Sequence, residues 1–290
     1  MFDICTIGHI SMDKVVTAQS TKYLPGGTSF YFSRLILYSD LKYRLITALA
    51  PRDYQSVHDL RNAGIDVHVL PSTQTVFFEN IYSADQDHRK QQVLHQASPF
   101  HVSDMPHTQA RIFHLGPLLA DDIPAAMIEH LSKTGLVSLD IQGYLRHVIN
   151  KKVVHRDWRD KKTALPYVGI LKANEFEMQV LTGKTNVWDG AKYLADLGVS
   201  EVILTLGSKG SIIFKSGIFY TIPAFKPAAV VDATGCGDTY MAAYLWMRIK
   251  GSEIQEAGEF GAAVATLKIG SFGPFSGPAS EISNLLEKVM

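Results

Sequence analysis

Residues 230–245 place an acid and two glycines at the start of an apolar helical pattern. Gly235 and Gly237 allow backbone N–H groups to converge there, where unpaired amides and the helix dipole bind anions. The neighbouring Asp238 would repel an anion that is merely bound. A carboxylate that takes a proton from an attacking hydroxyl, while amides stabilise a phosphoryl group in transfer, fits this combination. The alternative is structural, because an Asp in the first turn of a helix is common.

Two other segments offer groups for a ligand that carries hydroxyls. Gly26 and Gly27 follow Pro25 and open an apolar helical pattern, so that backbone is accessible there. Asp13 follows the first predicted strand, and a carboxylate accepts hydrogen bonds from adjacent hydroxyl groups. Without further context, Gly-Gly is an ordinary turn and Asp13 an ordinary loop acid.

The segment at residues 232–239, Asp-Ala-Thr-Gly-Cys-Gly-Asp-Thr, resembles the second signature of the PfkB/ribokinase family of carbohydrate kinases, D-T-x-G-A-G-D. The Gly26-Gly27 block is similar to the first, di-glycine signature of that family, and the resemblance covers essentially the whole chain. Ala233 and Cys236 depart from the signature. Both are small, and an anion hole of amides uses backbone atoms, so neither departure removes the chemistry.

The resemblance implies roles for the residues above. Asp238 would be the catalytic base, and the anion hole would comprise the amides of Gly235, Cys236 and Gly237. The acceptor would be bound by Asp13, Gly26, Gly27 and Asp140. Asp140 matches the Asp of a D-x-N-x-R segment in related sugar kinases, although Gln142 replaces the Asn.

The resemblance also implies a site for ATP and its metal ions. The nucleotide side would include Asn174, Thr205, Gly207, Ser208 and Gly210. Glu177 of the N-x-x-E pattern would support Mg²⁺ through water, although Asn174 and Glu177 also form an ordinary capping box. Potassium-activated members have a monovalent cation site where this chain has Asp232 and Thr234, which makes these residues candidates for K⁺.

The elements that must position these residues follow an alternating pattern. Short apolar strands are predicted at 3–8, 44–49, 66–70, 111–115, 136–141, 168–173 and 201–206, with helices at 53–63, near 122–133, from 174 and at 254–267. Strands that alternate with helices indicate an α/β fold with a mainly parallel sheet covered on both faces. The resemblance specifies a ribokinase-like, three-layer α/β/α fold with a small β-strand lid.

Residues 14–24 and 75–97 interrupt the alternation and look like antiparallel hairpins around a polar turn at 85–88. A lid over a substrate cleft and an edge hairpin that closes the sheet fit these segments equally well. No linker divides the chain, so one domain over residues 1–290 is predicted, with the two segments as lid strands. Uncovered lid strands invite pairing, which allows a homodimer through the lid.

Composition excludes several classes of partner. The formal net charge is +0 without a Lys/Arg-rich run, so neither nucleic acid nor a membrane surface is expected to bind. Two cysteines form no disulfide framework, and neither an export signal nor a membrane span is recognisable, which favours the cytoplasm.

The sequence therefore predicts an ATP-dependent kinase, with Mg²⁺ and a candidate K⁺ site, that phosphorylates a hydroxyl of a small sugar, sugar acid or cyclitol. A nucleoside kinase of the same fold and a catalytically weak regulator that binds sugar or nucleotide remain as alternatives.

Overall fold

The computed structural model describes residues 1–16, 20–82 and 89–289 of the chain. The strands of these residues are β1 (Phe2–Ile7), β2 (Ser11–Val16), β3 (Thr21–Gly26), β4 (Tyr43–Leu49), β5 (Asp66–Pro71), β6 (Val76–Tyr82), β7 (Arg89–His95), β8 (Ala110–Leu115), β9 (Leu136–Asp140), β10 (Arg146–Ile149), β11 (Lys152–His155), β12 (Ile170–Asn174), β13 (Glu201–Thr205), β14 (Ser211–Lys215) and β15 (Ile218–Ile222). Their α-helices are α1 (Thr28–Ile36), α2 (Gln55–Asn62), α3 (Ala125–Ser132), α4 (Lys161–Ala164), α5 (Glu175–Thr182), α6 (Val187–Asp196), α7 (Cys236–Lys250), α8 (Ile254–Lys268) and α9 (Ala279–Val289).

Nine of the described strands form a central sheet in the order β15-β14-β13-β12-β9-β8-β1-β4-β5. Neighbouring strands from β13 to β5 are parallel, whereas β14 and β15 extend the sheet as an antiparallel edge. Because parallel strands end at the same edge, the carboxyl ends of β1, β8, β9, β12 and β13 lie along one edge of the sheet. Ligands of open α/β sheets bind outside that edge.

Helices cover both faces of the central sheet. Successive residues of a strand point to opposite faces, and the core divides accordingly. Ile203 belongs to an apolar cluster with residues of α1, α2, α7 and α8, whereas Val202 and Leu204 belong to a second cluster with residues of α3, α5 and α6. This arrangement confirms the predicted three-layer α/β/α fold with a mainly parallel central sheet.

A second sheet stands at the carboxyl edge of the first. Its six described strands have the order β10-β11-β7-β6-β2-β3, and β2 begins shortly after β1 ends. The strands β2, β3, β6 and β7 fall in the segments 14–24 and 75–97 or overlap them. Residues 17–19 and 83–88 of those segments, which include the predicted turn at 85–88, lie outside the described residues.

The hairpin β10–β11 was not predicted, although it adds two strands to this second sheet. Its turn contains Asn150 and Lys151, both with positive φ, at 49° and 64°. Two successive residues of this kind match the right-handed twist of a hairpin, and Asn adopts the conformation readily. The Asn150 turn between short alternating segments was therefore the sequence signal for this hairpin.

Element bounds agree closely with the prediction in the central sheet, where β4 and β5 are each one residue longer than predicted. The helix expected near 122–133 starts later, at Ala125. The reason is local, because the Asp122 carboxylate accepts the backbone N–H groups of Leu118 and Leu119 and so belongs to the preceding turn. None of the helices in the described ranges is long and apolar enough to cross a membrane.

Candidate active site

The residues predicted to form an anion hole lie in the turn before α7 and in its first residues. Gly235 adopts a left-handed conformation, with φ of 76°, and a Cβ there would collide with the Tyr31 ring. Only glycine meets both conditions without strain. The Cys236 N–H donates to the Ala233 carbonyl at 3.2 Å, so this amide is already shared with the turn. Gly237, in contrast, lies next to the positively charged side chain of Lys172.

Lys172 is the site residue that the sequence analysis missed. It is a buried residue of β12, and its ammonium lies so close to Gly237 that a Cβ there would be 2.8 Å from Nζ. The ammonium donates to Asp140 Oδ2 at 2.9 Å, across the parallel β9–β12 register. A fixed positive charge therefore stands behind the amides at the start of α7.

Asp140 and Asp238 share this lysine. Asp140 is buried, and its Oδ1 accepts the Gln142 N–H at 3.0 Å. Burial opposes the charged form of Lys172, but Asp140, Glu177 and Asp238 outweigh it and raise the pKa of the lysine above its usual value. The lysine therefore stays protonated beside these acids.

Asp238 has the properties of a proton acceptor at neutral pH. Burial, and then the charge of Asp140, raise the pKa of Asp238 to about 6, although Lys172 opposes the rise. A base whose pKa lies near the working pH is more efficient than a carboxylate with an ordinary pKa. The residue sits in the first turn of α7, within reach of the anion hole.

Tyr31 links this centre to the predicted acceptor residues. It is a buried residue of α1 whose ring packs against Gly235. Burial raises the pKa of Tyr31, and the negative charges of Asp232, Asp13 and Asp238 raise it further. The charges of Asp13 and Asp238 thus both act on the Tyr31 hydroxyl.

Asp13 and the two glycines form one corner of the second sheet. Ser11 donates to Asp13 Oδ1 at 2.8 Å and pairs with Gly26 across the β2–β3 ladder. A Cβ at Gly26 would be 2.8 Å from Asp13 Oδ2, so only glycine lets this strand approach the carboxylate. Gly27, with φ of 89°, precedes the first residue of α1.

A surface cavity of about 370 Å³ lies between β12, α5 and the end of β13. Three of the predicted nucleotide residues line it, namely Asn174, Thr205 and Gly207. Ser208 and Gly210 belong to the adjoining turn, which the Leu206 N–H closes by donating to the Gly210 carbonyl at 2.8 Å. The predicted residues on this side are therefore contiguous.

Asn174 and Glu177 form the expected capping box at the start of α5. Asn174 Oδ1 accepts the Glu177 N–H, and Glu177 Oε2 accepts the Asn174 N–H, both at 2.8 Å. Burial raises the pKa of Glu177, whereas Lys172 opposes this effect. Both interpretations of the N-x-x-E pattern are geometrically compatible, since the cap uses one oxygen of the Glu177 carboxylate, Oε2.

The residues fit a magnesium ion that is held largely by water and phosphate. Among the described residues, no group of three or more His, Cys, Asp or Glu side chains forms a metal cage. Mg²⁺ does not require one, because it keeps several waters and binds one or two carboxylates together with substrate phosphates. Glu177 offers a buried carboxylate of the right chemistry beside the cavity.

Asp232 and Thr234 occupy the turn that leads to Gly235, but they do not form an open cation site. Asp232 Oδ1 accepts the Thr234 N–H at 2.9 Å, and Oδ2 accepts the Gly273 N–H at 3.3 Å. The Asp232 carbonyl accepts a hydrogen bond from the Lys268 ammonium at 2.7 Å. Asp232, one of the two residues predicted for potassium, therefore already holds a cation of the protein itself.

Known proteins resemble this chain over nearly its whole length. The cytidine kinase of Thermococcus kodakarensis is 25% identical over 289 residues, which cover 95% of this chain and 99% of that protein. A nucleoside kinase of Methanothermobacter thermautotrophicus is also 25% identical and covers 91% of this chain and 88% of its own length.

A solved structure also resembles this chain over nearly its whole length. A pyrophosphate-dependent kinase in the ribokinase family, complexed with a pyrophosphate analog and myo-inositol, superposes with a TM-score of 0.87 and 28% identity over 97% of this chain and 99% of that chain. The sequence model of the pfkB family carbohydrate kinases matches residues 57–280. The chain therefore belongs to the pfkB family and is a kinase with a ribokinase-like fold.

Proposed function

We propose that this kinase transfers the terminal phosphoryl group of ATP to a hydroxyl of a small sugar, sugar acid or cyclitol. The observation that carries the proposal is the placement of Asp238. This carboxyl has a pKa of about 6, lies at the start of α7, and shares Lys172 with the buried Asp140. A proton acceptor, a cation and backbone amides are thus combined in one place, as phosphoryl transfer requires.

The reaction follows from these groups. Asp238 accepts the proton of the acceptor hydroxyl as the oxygen forms a bond to the γ-phosphorus. The bond from that phosphorus to the bridging oxygen breaks, and ADP leaves with the bonding electrons. Lys172 and the amides of Gly235 and Gly237 stabilise the charge on the phosphoryl oxygens. Such fixed groups stabilise the transition state because they need no reorganisation as the charge moves.

Glu177 would hold magnesium through water on the donor side. When bound, the ion neutralises phosphate charge and orients the transferring group. The chain's own contribution is positional: the capping box fixes Glu177 relative to Asn174, and Asn174 lines the cavity proposed for the nucleotide.

Asp13 and the backbone at Gly26 and Gly27 would orient the acceptor. The charges of Asp13 and Asp238 both raise the pKa of Tyr31, which supports an acceptor held by Asp13 on the side of the base. A carboxylate that accepts from two vicinal hydroxyls suits a polyol. The solved complex with myo-inositol supports a cyclitol as the first acceptor to test.

A nucleoside is the second candidate acceptor, because the relatives named cytidine kinase and nucleoside kinase cover nearly the whole chain. Pyrophosphate is the second candidate donor, since the structural neighbour with a TM-score of 0.87 is described as pyrophosphate-dependent. A regulator without catalysis is disfavoured, because Asp238 retains the environment of a base.

The test is a matrix of two donors, ATP and pyrophosphate, against pentoses, hexoses, sugar acids, inositols, cytidine and other nucleosides. Product is followed by ³¹P NMR, which detects the new phosphate ester whichever donor is used. Asp238→Asn is expected to lower turnover by about 10³-fold or more while donor and acceptor still bind, because an amide does not accept the proton.

The matched control is Asp196→Asn, the same substitution at an exposed residue of α6. It should retain full turnover. Equal turnover of Asp238→Asn and the wild type would overturn the assignment of the base. Donor binding by calorimetry without product from any acceptor would favour the regulator.

A further inference from the structure

Lys268 is a fully buried lysine at the end of α8. Its side chain has 0% exposure, and it is among the largest fully buried side chains of the described residues. Burial of an ammonium is unfavourable unless polar groups replace its water. A lysine in this position therefore needs a specific set of partners.

The partners belong to the turn that carries the anion hole. The ammonium donates to the Asp232 carbonyl at 2.7 Å and lies 3.4 Å from Asp232 Oδ2. It also lies 5.6 Å from the centre of the Tyr31 ring, which is the ring that packs against Gly235. The Lys268 ammonium thus contacts Asp232, which lies in the turn before Asp238, and Tyr31, which packs against that turn.

Backbone hydrogen bonds hold the Asp232 carboxylate beside the Lys268 ammonium. Its oxygens accept the N–H groups of Thr234 and Gly273, and the N–H groups of Val231 and Asp232 donate to the Ile269 carbonyl. The Lys268 ammonium joins this network because it donates to the Asp232 carbonyl. Its charge also reaches Cys236, because Lys268 opposes the rise that burial causes in the pKa of that thiol.

A monovalent metal ion does not fit this arrangement. The family resemblance implies that backbone carbonyls near Asp232 and Thr234 bind the ion, and the Asp232 carbonyl already accepts the ammonium at 2.7 Å. Two cations at one carbonyl would repel each other strongly at such short range in a buried site. The residues present therefore disagree with the potassium site that the family resemblance implies.

We propose that the Lys268 ammonium is a built-in replacement for a monovalent cation, so that this kinase works without K⁺. The expected effect on turnover rests on the proposed phosphoryl transfer, whereas the expected absence of K⁺ binding does not. Lys268 is a positioning residue: it acts through Asp232 on the turn that carries Gly235 to Asp238.

The first measurement uses the wild-type chain. Its melting temperature and turnover are recorded as KCl replaces tetramethylammonium chloride at constant ionic strength, with NaCl as a third arm. We expect neither quantity to depend on the identity of the cation. Saturable stabilisation of the wild type by K⁺, or severalfold activation by it, would overturn the proposal.

The second measurement uses Lys268→Met, which keeps most of the length of the side chain and removes its charge. We expect turnover to fall by about tenfold or more. K⁺ should restore turnover and raise the melting temperature, whereas tetramethylammonium should do neither. Lys268→Arg, which keeps the charge, should be less impaired than Lys268→Met in the absence of K⁺.

Lys250→Met is the matched control, because Lys250 is a partly exposed lysine at the end of α7 that pairs with Asp40 on the surface. It should gain no response to K⁺. If Lys268→Met folds but gains no response either, the ammonium does not stand in for an ion, and the proposal fails. The melting curves need no turnover, so they decide this question even if no acceptor is phosphorylated.

Discussion

At the scale of single residues, the site combines groups that were visible in the sequence with groups that were not. Asp238 and Gly235 stand in one short segment with a recognisable pattern. Lys172 is one lysine inside an apolar strand, and its partner Asp140 lies on a different strand. A charge in the middle of a buried strand was the available signal, because such a charge is rarely buried unpaired.

The environment of Asp238 predicts a pH dependence. With a pKa of about 6, Asp238 is protonated below that value and then accepts no proton. We therefore expect kcat/KM to rise as pH increases through about 6 and to level off above it, since the free enzyme's base then becomes ionised. A pH-rate profile at constant ionic strength checks this, and a flat profile across that range would contradict it.

Lys172→Met provides the control for the origin of this pKa. Removal of the ammonium should shift the acidic midpoint to higher pH, because Lys172 is a group that lowers the pKa of Asp238. The variant also leaves the buried Asp140 without its cation, which costs about 3–5 kcal/mol of the free energy of unfolding. Its fold should be verified by circular dichroism before the profile is recorded.

At the scale of elements, the central strands were predictable because each is a short apolar run, and parallel strands buried on both faces have that composition. The hairpin β10–β11 was missed because it is short and its strands are only half-buried. The contact between Lys268 and Asp232 joins residues 36 positions apart. No local pattern predicts such a contact, so the fate of the expected cation site required the structure.

The capping box of α5 allows its two roles to be separated. Glu177→Gln retains a side-chain oxygen that can accept the Asn174 N–H, so the stability of α5 should change little. We expect the magnesium concentration for half-maximal activity to rise in this variant, because the carboxylate charge is lost. Asn174→Ala, in comparison, should lower the free energy of unfolding by about 1 kcal/mol through loss of the cap.

Chemical denaturation and magnesium titration measure these two effects independently. An unchanged magnesium requirement in Glu177→Gln would assign Glu177 to capping alone.

At the scale of the whole molecule, the edge strand β3 of the second sheet predicts self-association. Tyr23 of the edge strand β3 is 60% exposed, and its ring lies 6.4 Å from that of Phe77 on β6. An exposed aromatic edge strand favours pairing with another strand. We expect a homodimer through this sheet, and light scattering after size-exclusion chromatography measures its mass.

Tyr23→Lys should shift the equilibrium to monomers, because a charge on an edge strand opposes pairing. Tyr167→Lys is the matched control, since Tyr167 is also exposed but lies in the turn before β12. A wild-type chain that remains monomeric as its concentration is raised would contradict the dimer.

The hairpin β10–β11 connects the two sheets chemically as well as by chain. Arg146, its first residue, donates to Gln142 at 2.9 Å, and the Gln142 N–H donates to Asp140, which in turn holds Lys172. On the other side, the Lys151 carbonyl accepts the Val93 N–H of β7. An unbroken chain of hydrogen bonds therefore runs from the second sheet to Asp140, whose charge raises the pKa of Asp238.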